Sequence, residues 1–154
     1  MVRWADVCDE VPEFAARTQA AFERNKHLTL ATLRRDGSPR ISGTETNHRD
    51  DEVYIGSMWQ AVKALDLQRD PRFAIHSGSA DPPGWRGDAK IAGRAEEITD
   101  PDTVARINEG APGGQSHLFR LDVTEVVVVR LGDPADHLVI DSWHEGRGLS
   151  SIRR

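Results

Sequence analysis

Residues 118–131 read Leu-Phe-Arg-Leu-Asp-Val-Thr-Glu-Val-Val-Val-Val-Arg-Leu, a β-branched run that limits the fold of this chain more than any other segment. Phe119, Leu121, Val123, Val127, Val129 and Leu131 alternate onto one face, with Glu125 as the one break, and such a period of two is that of a strand. A strand this long leaves two rows of backbone donors and acceptors that only neighbouring strands can satisfy. The fold is therefore expected to be mainly β, with the helices peripheral.

Further extended segments supply those neighbours. Residues 27–33 and 39–46 flank Arg35-Asp36-Gly37, a turn that needs a glycine, and form a hairpin. Residues 52–55 follow the acidic turn Arg49-Asp50-Asp51 and are expected to complete a three-stranded meander. Strands are also expected at 73–77, at 89–98 with a bend at Gly93, and at 137–143, where 137–154 is read as a last strand and a tail. Three short helices interrupt the strands. Residues 13–25 follow Pro12 and carry Phe14, Ala15, Thr18, Ala21 and Phe22 along one side. Ser57-Met58-Trp59-Gln60 fits a capping box that starts a second helix, stopped by Arg69-Asp70-Pro71. Asp100-Pro101, a cap followed by a first-turn proline, opens a third helix that runs to Glu109 and ends at Gly110 before the Pro112-Gly113-Gly114 loop. Antiparallel strands with short peripheral helices close most simply into a whole or partly open β-barrel.

A length of 154 residues suits one domain, 1–154. No apolar run approaches the roughly 20 residues of a membrane span, and the first residues lack a signal-peptide pattern, so a cytoplasmic protein without a membrane partner is expected. Cys8 is the one cysteine, which excludes an internal disulfide and thiolate-rich metal sites. The net charge of −5 argues against a nucleic-acid partner. The six histidines show no metal-ligand spacing, and no GxSxG, GxGxxG or Walker A sequence occurs.

Two segments carry candidate binding chemistry. At Gly56 to Lys63 a helix start offers unpaired amides, Ser57 adds a hydroxyl and Lys63 a cation, a set that suits a phosphate; the same residues equally suit a plain helix cap beside a solvated lysine. On 39–46, Arg40, Ser42, Thr44 and Thr46 form a polar row that would face water, a ligand or a partner chain. Ile41 and Gly43 lie opposite, and Gly43 lets a flat ring approach the backbone. Trp59 and Trp85 are the tryptophans placed to neighbour a cofactor.

The succession His27-Leu28-Thr29-Leu30-Ala31-Thr32-Leu33, Asp36-Gly37-Ser38-Pro39-Arg40-Ile41-Ser42, Val53-Tyr54-Ile55-Gly56-Ser57, Lys63-Ala64-Leu65-Asp66-Leu67-Gln68-Arg69-Asp70-Pro71-Arg72-Phe73 and Lys90-Ile91-Ala92-Gly93-Arg94-Ala95 resembles the pyridoxamine 5'-phosphate oxidase-like family, in order, over roughly residues 13–131. The resemblance implies an FMN-binding split β-barrel, a homodimer with cofactor sites at the subunit interface, and an oxidoreductase acting on a small-molecule substrate. By that resemblance Arg40, Ile41, Ser42 and Gly43 lie along the flavin, Ser57, Met58 and Lys63 hold its phosphate, and Lys90 reaches in from the partner. Catalytic residues are not implied. Gly87-Asp88-Ala89-Lys90 departs from the glutamine and arginines of pyridoxamine phosphate oxidases proper, and Trp143 and Arg147 match their substrate segment only superficially. Ala61 stands where deazaflavin-dependent relatives often carry an arginine, so FMN is the expected cofactor, with coenzyme F420 or a non-catalytic flavin, deazaflavin or haem binder as alternatives.

Overall fold

The computed structural model describes residues 2–109 and 114–154, so the expected helix stop at Gly110 and the Pro112-Gly113 part of the loop lie outside it. Four short helices and nine strands follow one another as α1 (Trp4–Glu10), α2 (Pro12–Glu23), β1 (Leu28–Leu33), β2 (Pro39–Thr44), β3 (Thr46–Arg49), β4 (Glu52–Met58), α3 (Val62–Arg69), β5 (Arg72–His76), β6 (Asp88–Glu97), α4 (Pro101–Ile107), β7 (Ser116–Leu131), β8 (Leu138–His144) and β9 (Gly148–Arg153). All pairings are antiparallel, in the order β2-β1-β5-β6-β7-β4-β3, with β8 and β9 extending from β7. The two ends of that order, β2 and β3, are consecutive in the chain and joined at Glu45. A sheet whose edges are covalently linked has to curl, and this one forms the expected barrel, split where the chain crosses from β2 to β3.

The concave side is filled by α1 and α2. Trp4, Val7, Phe14, Ala15 and Phe22 pack with Leu28, Leu30, Ile75, Ile91, Leu121, Val123, Val126 and Trp143 in one apolar core. Burying such side chains contributes roughly 1.5–3 kcal/mol each, and this cluster outweighs any single polar contact in the molecule.

Several expectations are corrected. There is no three-stranded meander: β4 pairs with β3 and β7, not with β2. Thr46 belongs to β3, a strand of its own that turns through Asp50 and Asp51, both left-handed (φ 56° and 59°), into β4. The tail contains β9, which pairs along β8 after a turn at Gly146. In β7 the alternation changes phase. Gly93 pairs with Val123 but Ala92 pairs with Glu125, so Thr124 is an extra residue, and such a bulge swaps the faces that follow. Val126 and Val128 therefore enter the core, while Leu131 is exposed and Val127 and Val129 lie on the outer face. The bend expected at Gly93 is this bulge.

Candidate functional site

A cleft of about 920 Å³ opens at the split, between β2–β3, the end of β4, the start of α3 and the end of α4. Its wall includes Gly43, Thr44, Glu45, Gly56, Ser57, Met58 and Lys63, with Lys26, His27, Asn108 and Ser116 on the other sides. That size falls within the usual range for small-molecule sites.

The capping box is not formed. Ser57 and Met58 are the last residues of β4, with their backbone paired to His117 and Ser116 of β7. The chain then turns through Trp59 and Gln60, and α3 begins only at Val62, capped by Ala61 without any side-chain bond. Pairing with the long β7 wins over the local capping pattern because each ladder step satisfies backbone groups that a cap would leave open. Lys63 consequently sits in the first turn of α3. Its Nζ donates to the Gly43 carbonyl oxygen (2.7 Å), which draws the ammonium onto the cleft wall. Burial lowers its pKa below the usual lysine range, against a smaller upward pull from Glu45. Ser57 Oγ has only a long contact to the Met58 carbonyl (3.4 Å), and its hydroxyl is available to a ligand. A half-buried cation and an available hydroxyl on one cleft wall are the kind of groups that a phosphate ester needs.

The polar row of β2 faces the other way. The register sets Ser42 opposite Leu30 and Arg40 opposite Thr32, so Arg40, Ser42 and Thr44 share the core side of β1. Arg40 Nε donates to Asp66 Oδ2 (2.7 Å), and the same buried carboxylate accepts from Arg69 (2.8 Å) and from the Thr32 hydroxyl (2.8 Å). Burial raises the Asp66 pKa, and the three donors together pull it below the ordinary aspartate value. Arg40 thus ties β2 to α3, and neither its side chain nor that of Ser42 lines the cleft.

Ile41 and Gly43 lie on the outer face. Gly43, Thr29, His76, Lys90, Val127 and Ser142 form one row across six strands, and Ile41, Ala31, Ala74, Ala92, Glu125 and His144 form the next. Ile41 is 74% exposed. A Cβ added at Gly43 would meet nothing within 4 Å, so the approach of a flat group is open there. Lys90 stands three strands from Gly43, about 14 Å at the usual strand spacing, and does not line the cleft. Trp85 donates to Asp88 (3.0 Å) away from the cleft.

Residues that the sequence did not single out complete the wall. Asn108, the C-cap of α4, donates to Ser116 Oγ (2.9 Å) and to the His117 carbonyl (3.2 Å), and its Oδ1 lies where a Cβ on Gly56 would fall. Only the strand register could have announced this, because Asn108 and Gly56 are far apart in sequence. Among the described residues no group of three or more His, Cys, Asp and Glu is placed to hold a metal, and no helix is long and apolar enough to cross a membrane.

Three solved structures share the fold at a TM-score of 0.62. PhzG from Burkholderia lata 383, solved with tetrahydrophenazine-1-carboxylic acid, is 13% identical, with 94% of this chain and 89% of that chain covered. A Clostridium acetobutylicum protein related to general stress protein 26 of B. subtilis, of the pyridoxinephosphate oxidase family, is 10% identical (92% and 94% covered). HupZ from Group A Streptococcus is 14% identical (76% and 94% covered). No curated protein matches the chain by sequence. The family model for pyridoxamine 5'-phosphate oxidase matches residues 14–130, from within α2 almost to the end of β7, and so takes in every residue of the cleft wall. The chain belongs to the pyridoxamine 5'-phosphate oxidase family.

Proposed function

We propose that this chain binds FMN in the cleft and acts, as a homodimer, as an oxidoreductase on a small organic substrate. The observation that carries this reading is Lys63, a half-buried ammonium held on the wall of the cleft that Ser57 also lines, with no carboxylate bonded to it among the described residues. Lys63 and Ser57 would hold the phosphate, and Gly43 would let the ring system lie close to β2. FMN would supply the hydride chemistry, and the protein's part is to bind, orient and shield it. Ala61 brings no guanidinium to the cleft, which favours FMN over coenzyme F420. PhzG, with its bound tetrahydrophenazine-1-carboxylic acid, shows that this fold accommodates a small cyclic acid. Protein purified from cells supplied with riboflavin should carry the two-banded absorption of a flavin at about one per chain. Colourless protein that takes up no added FMN would contradict the reading.

The homodimer reading rests on the outer face of the sheet. The two rows through Gly43 and Ile41 are built largely of small or apolar residues, Ile41 is 74% exposed, and Lys90 on this face does not line its own chain's cleft. A second copy related by a two-fold axis would cover this face and bring its Lys90 toward the first copy's Gly43. Ile41→Asp should weaken the dimer at least tenfold in sedimentation equilibrium, because it buries an unpaired charge in the interface. A wild-type protein that sediments as a monomer at micromolar concentration would sink this part.

A further inference from the structure

Between Met58 and Lys63 the loop is fastened from beneath by one buried side chain. His117 on β7 is 1% exposed and lies opposite Ser57 in the β4–β7 register. Its Nδ1 is 2.7 Å from Glu97 Oε1, and its Nε2 is 3.2 Å from the backbone nitrogen of Gln60. The second contact fixes the tautomer. A backbone N–H can only donate, so Nε2 carries a lone pair and Nδ1 holds the proton donated to Glu97. Glu97 is itself positioned by Gln68 of α3, whose amide donates to its other oxygen (2.8 Å). Trp59 closes the arrangement from outside, stacked on the imidazole at 4.6 Å and 8° from parallel while remaining 50% exposed.

The loop held in this way is in a conformation it would not choose alone. Gln60 has φ 61°, left-handed backbone that costs a residue with a side chain about 1 kcal/mol or more and persists where its surroundings impose it. The hydrogen bond that its N–H donates to His117 is one such constraint, and the loop it imposes sets the start of α3 and with it Lys63.

We propose that His117 is a pH-operated latch on the Trp59–Gln60 loop, and that its protonation loosens the Lys63–Ser57 wall of the cleft. While Nε2 is deprotonated it accepts from Gln60. When a proton from solvent is added at Nε2, both ring nitrogens become donors, the Gln60 N–H faces another N–H, and the bond is lost. The imidazolium is retained by Glu97, so the loop moves and the ring stays. Four elements bring polar groups to the ring or to its backbone. β6 brings Glu97; α3 brings neutral Gln68; β4 brings Ser57; the α4 cap brings Asn108. The titratable groups of the adjoining cleft, Lys63, Lys26, His27, His48, Glu23, Glu45 and Glu109, form no bond to the ring among the described residues. As a control of phosphate binding the latch rests on the function proposed above; as a device of the loop it does not.

Hydrogen exchange at the Gln60 amide tests it without any cofactor. Expressed as protection relative to the intrinsic rate at each pH, it should fall roughly tenfold or more from pH 8 to pH 5 in the wild type, the effect of losing one hydrogen bond to a buried partner. In His117→Gln the side-chain oxygen can accept at both pH values, so protection should persist and lose its pH dependence. Should that variant not fold, the wild type still decides, through the nitrogen-15 shift of His117 Nε2 followed together with the Gln60 amide proton. FMN affinity should then weaken more between pH 8 and pH 5 in the wild type than in His117→Gln, a comparison that cancels the protonation of the phosphate itself. Protection that is equal at both pH values, or that falls equally in His117→Gln, would overturn the latch. A chain that takes up no FMN would overturn the function above, and the Gln60 amide would still report on the latch.

Discussion

Gly93→Ala is expected to destabilise the barrel by about 4 kcal/mol, enough to leave a marginally stable domain largely unfolded. The reason is local and rigid. At the β6–β7 bulge the Asp122 carbonyl oxygen occupies the space of a Cβ on Gly93, and the neighbouring Val123 Cα crowds the same place. Both obstacles are backbone of the central strand, so neither can rotate aside as a side chain would. Relief would mean undoing the bulge, and that would return Val126 and Val128 to the outer face and put Val127 and Val129 inside. Urea denaturation followed by circular dichroism measures the loss; a variant within 1 kcal/mol of the wild type would show that the bulge can relax.

Asp66→Ala comes second, with an expected loss of about 3 kcal/mol. Removing a buried charge that satisfies several donors leaves those donors unpaired. Arg40 and Arg69 are 27% and 31% exposed and can recover some hydration, but the Thr32 hydroxyl is buried and cannot. The pH dependence follows from the same contacts. The Asp66 pKa is lower in the folded protein than in the unfolded chain, so its stabilisation is fully present above the ordinary value of 3.8 and is lost as pH falls through the folded value. The wild type should therefore lose more stability than Asp66→Ala on going from pH 5 to pH 3, as read by the urea midpoint. Parallel loss in the two proteins would mean that Asp66 carries no such linkage.

How much of this could be read in advance depended on whether the signal was local. Asp100-Pro101 announced α4, and the Asp100 carboxylate does accept from the Thr103 N–H (2.9 Å). The hairpin at Arg35-Asp36-Gly37 was equally local, and Gly37 adopts φ 85°. Helix α1 was legible in the spacing of Trp4, Val7, Cys8 and Val11 but was masked by the stronger start at Pro12. Strand β3, Thr46-Asn47-His48-Arg49, has no apolar alternation to reveal it, because the side chain it turns toward the core, against Trp4, is the imidazole of His48. The face of Arg40 and Ser42 was misread for a related reason. A polar row looks solvated until the chain supplies an inward partner, and here that partner is Asp66, twenty-six positions away. Of the residues singled out by motif and resemblance, Ser57, Met58, Lys63 and Gly43 line the cleft. Asn108 and His117 were not, since their roles exist only through the pairing of β4 with β7.

If Lys63 and Ser57 hold the phosphate of a flavin, FMN and riboflavin should bind unequally, because the two ligands differ only in that group. Titration by flavin fluorescence quenching should show the wild type binding FMN about 100-fold more tightly than riboflavin, the worth of two charge-assisted hydrogen bonds of roughly 1.5 kcal/mol each. Lys63→Ala should reduce that ratio at least tenfold while leaving riboflavin affinity unchanged. Equal affinity of the wild type for FMN and riboflavin, or an unaltered ratio in Lys63→Ala, would contradict the account.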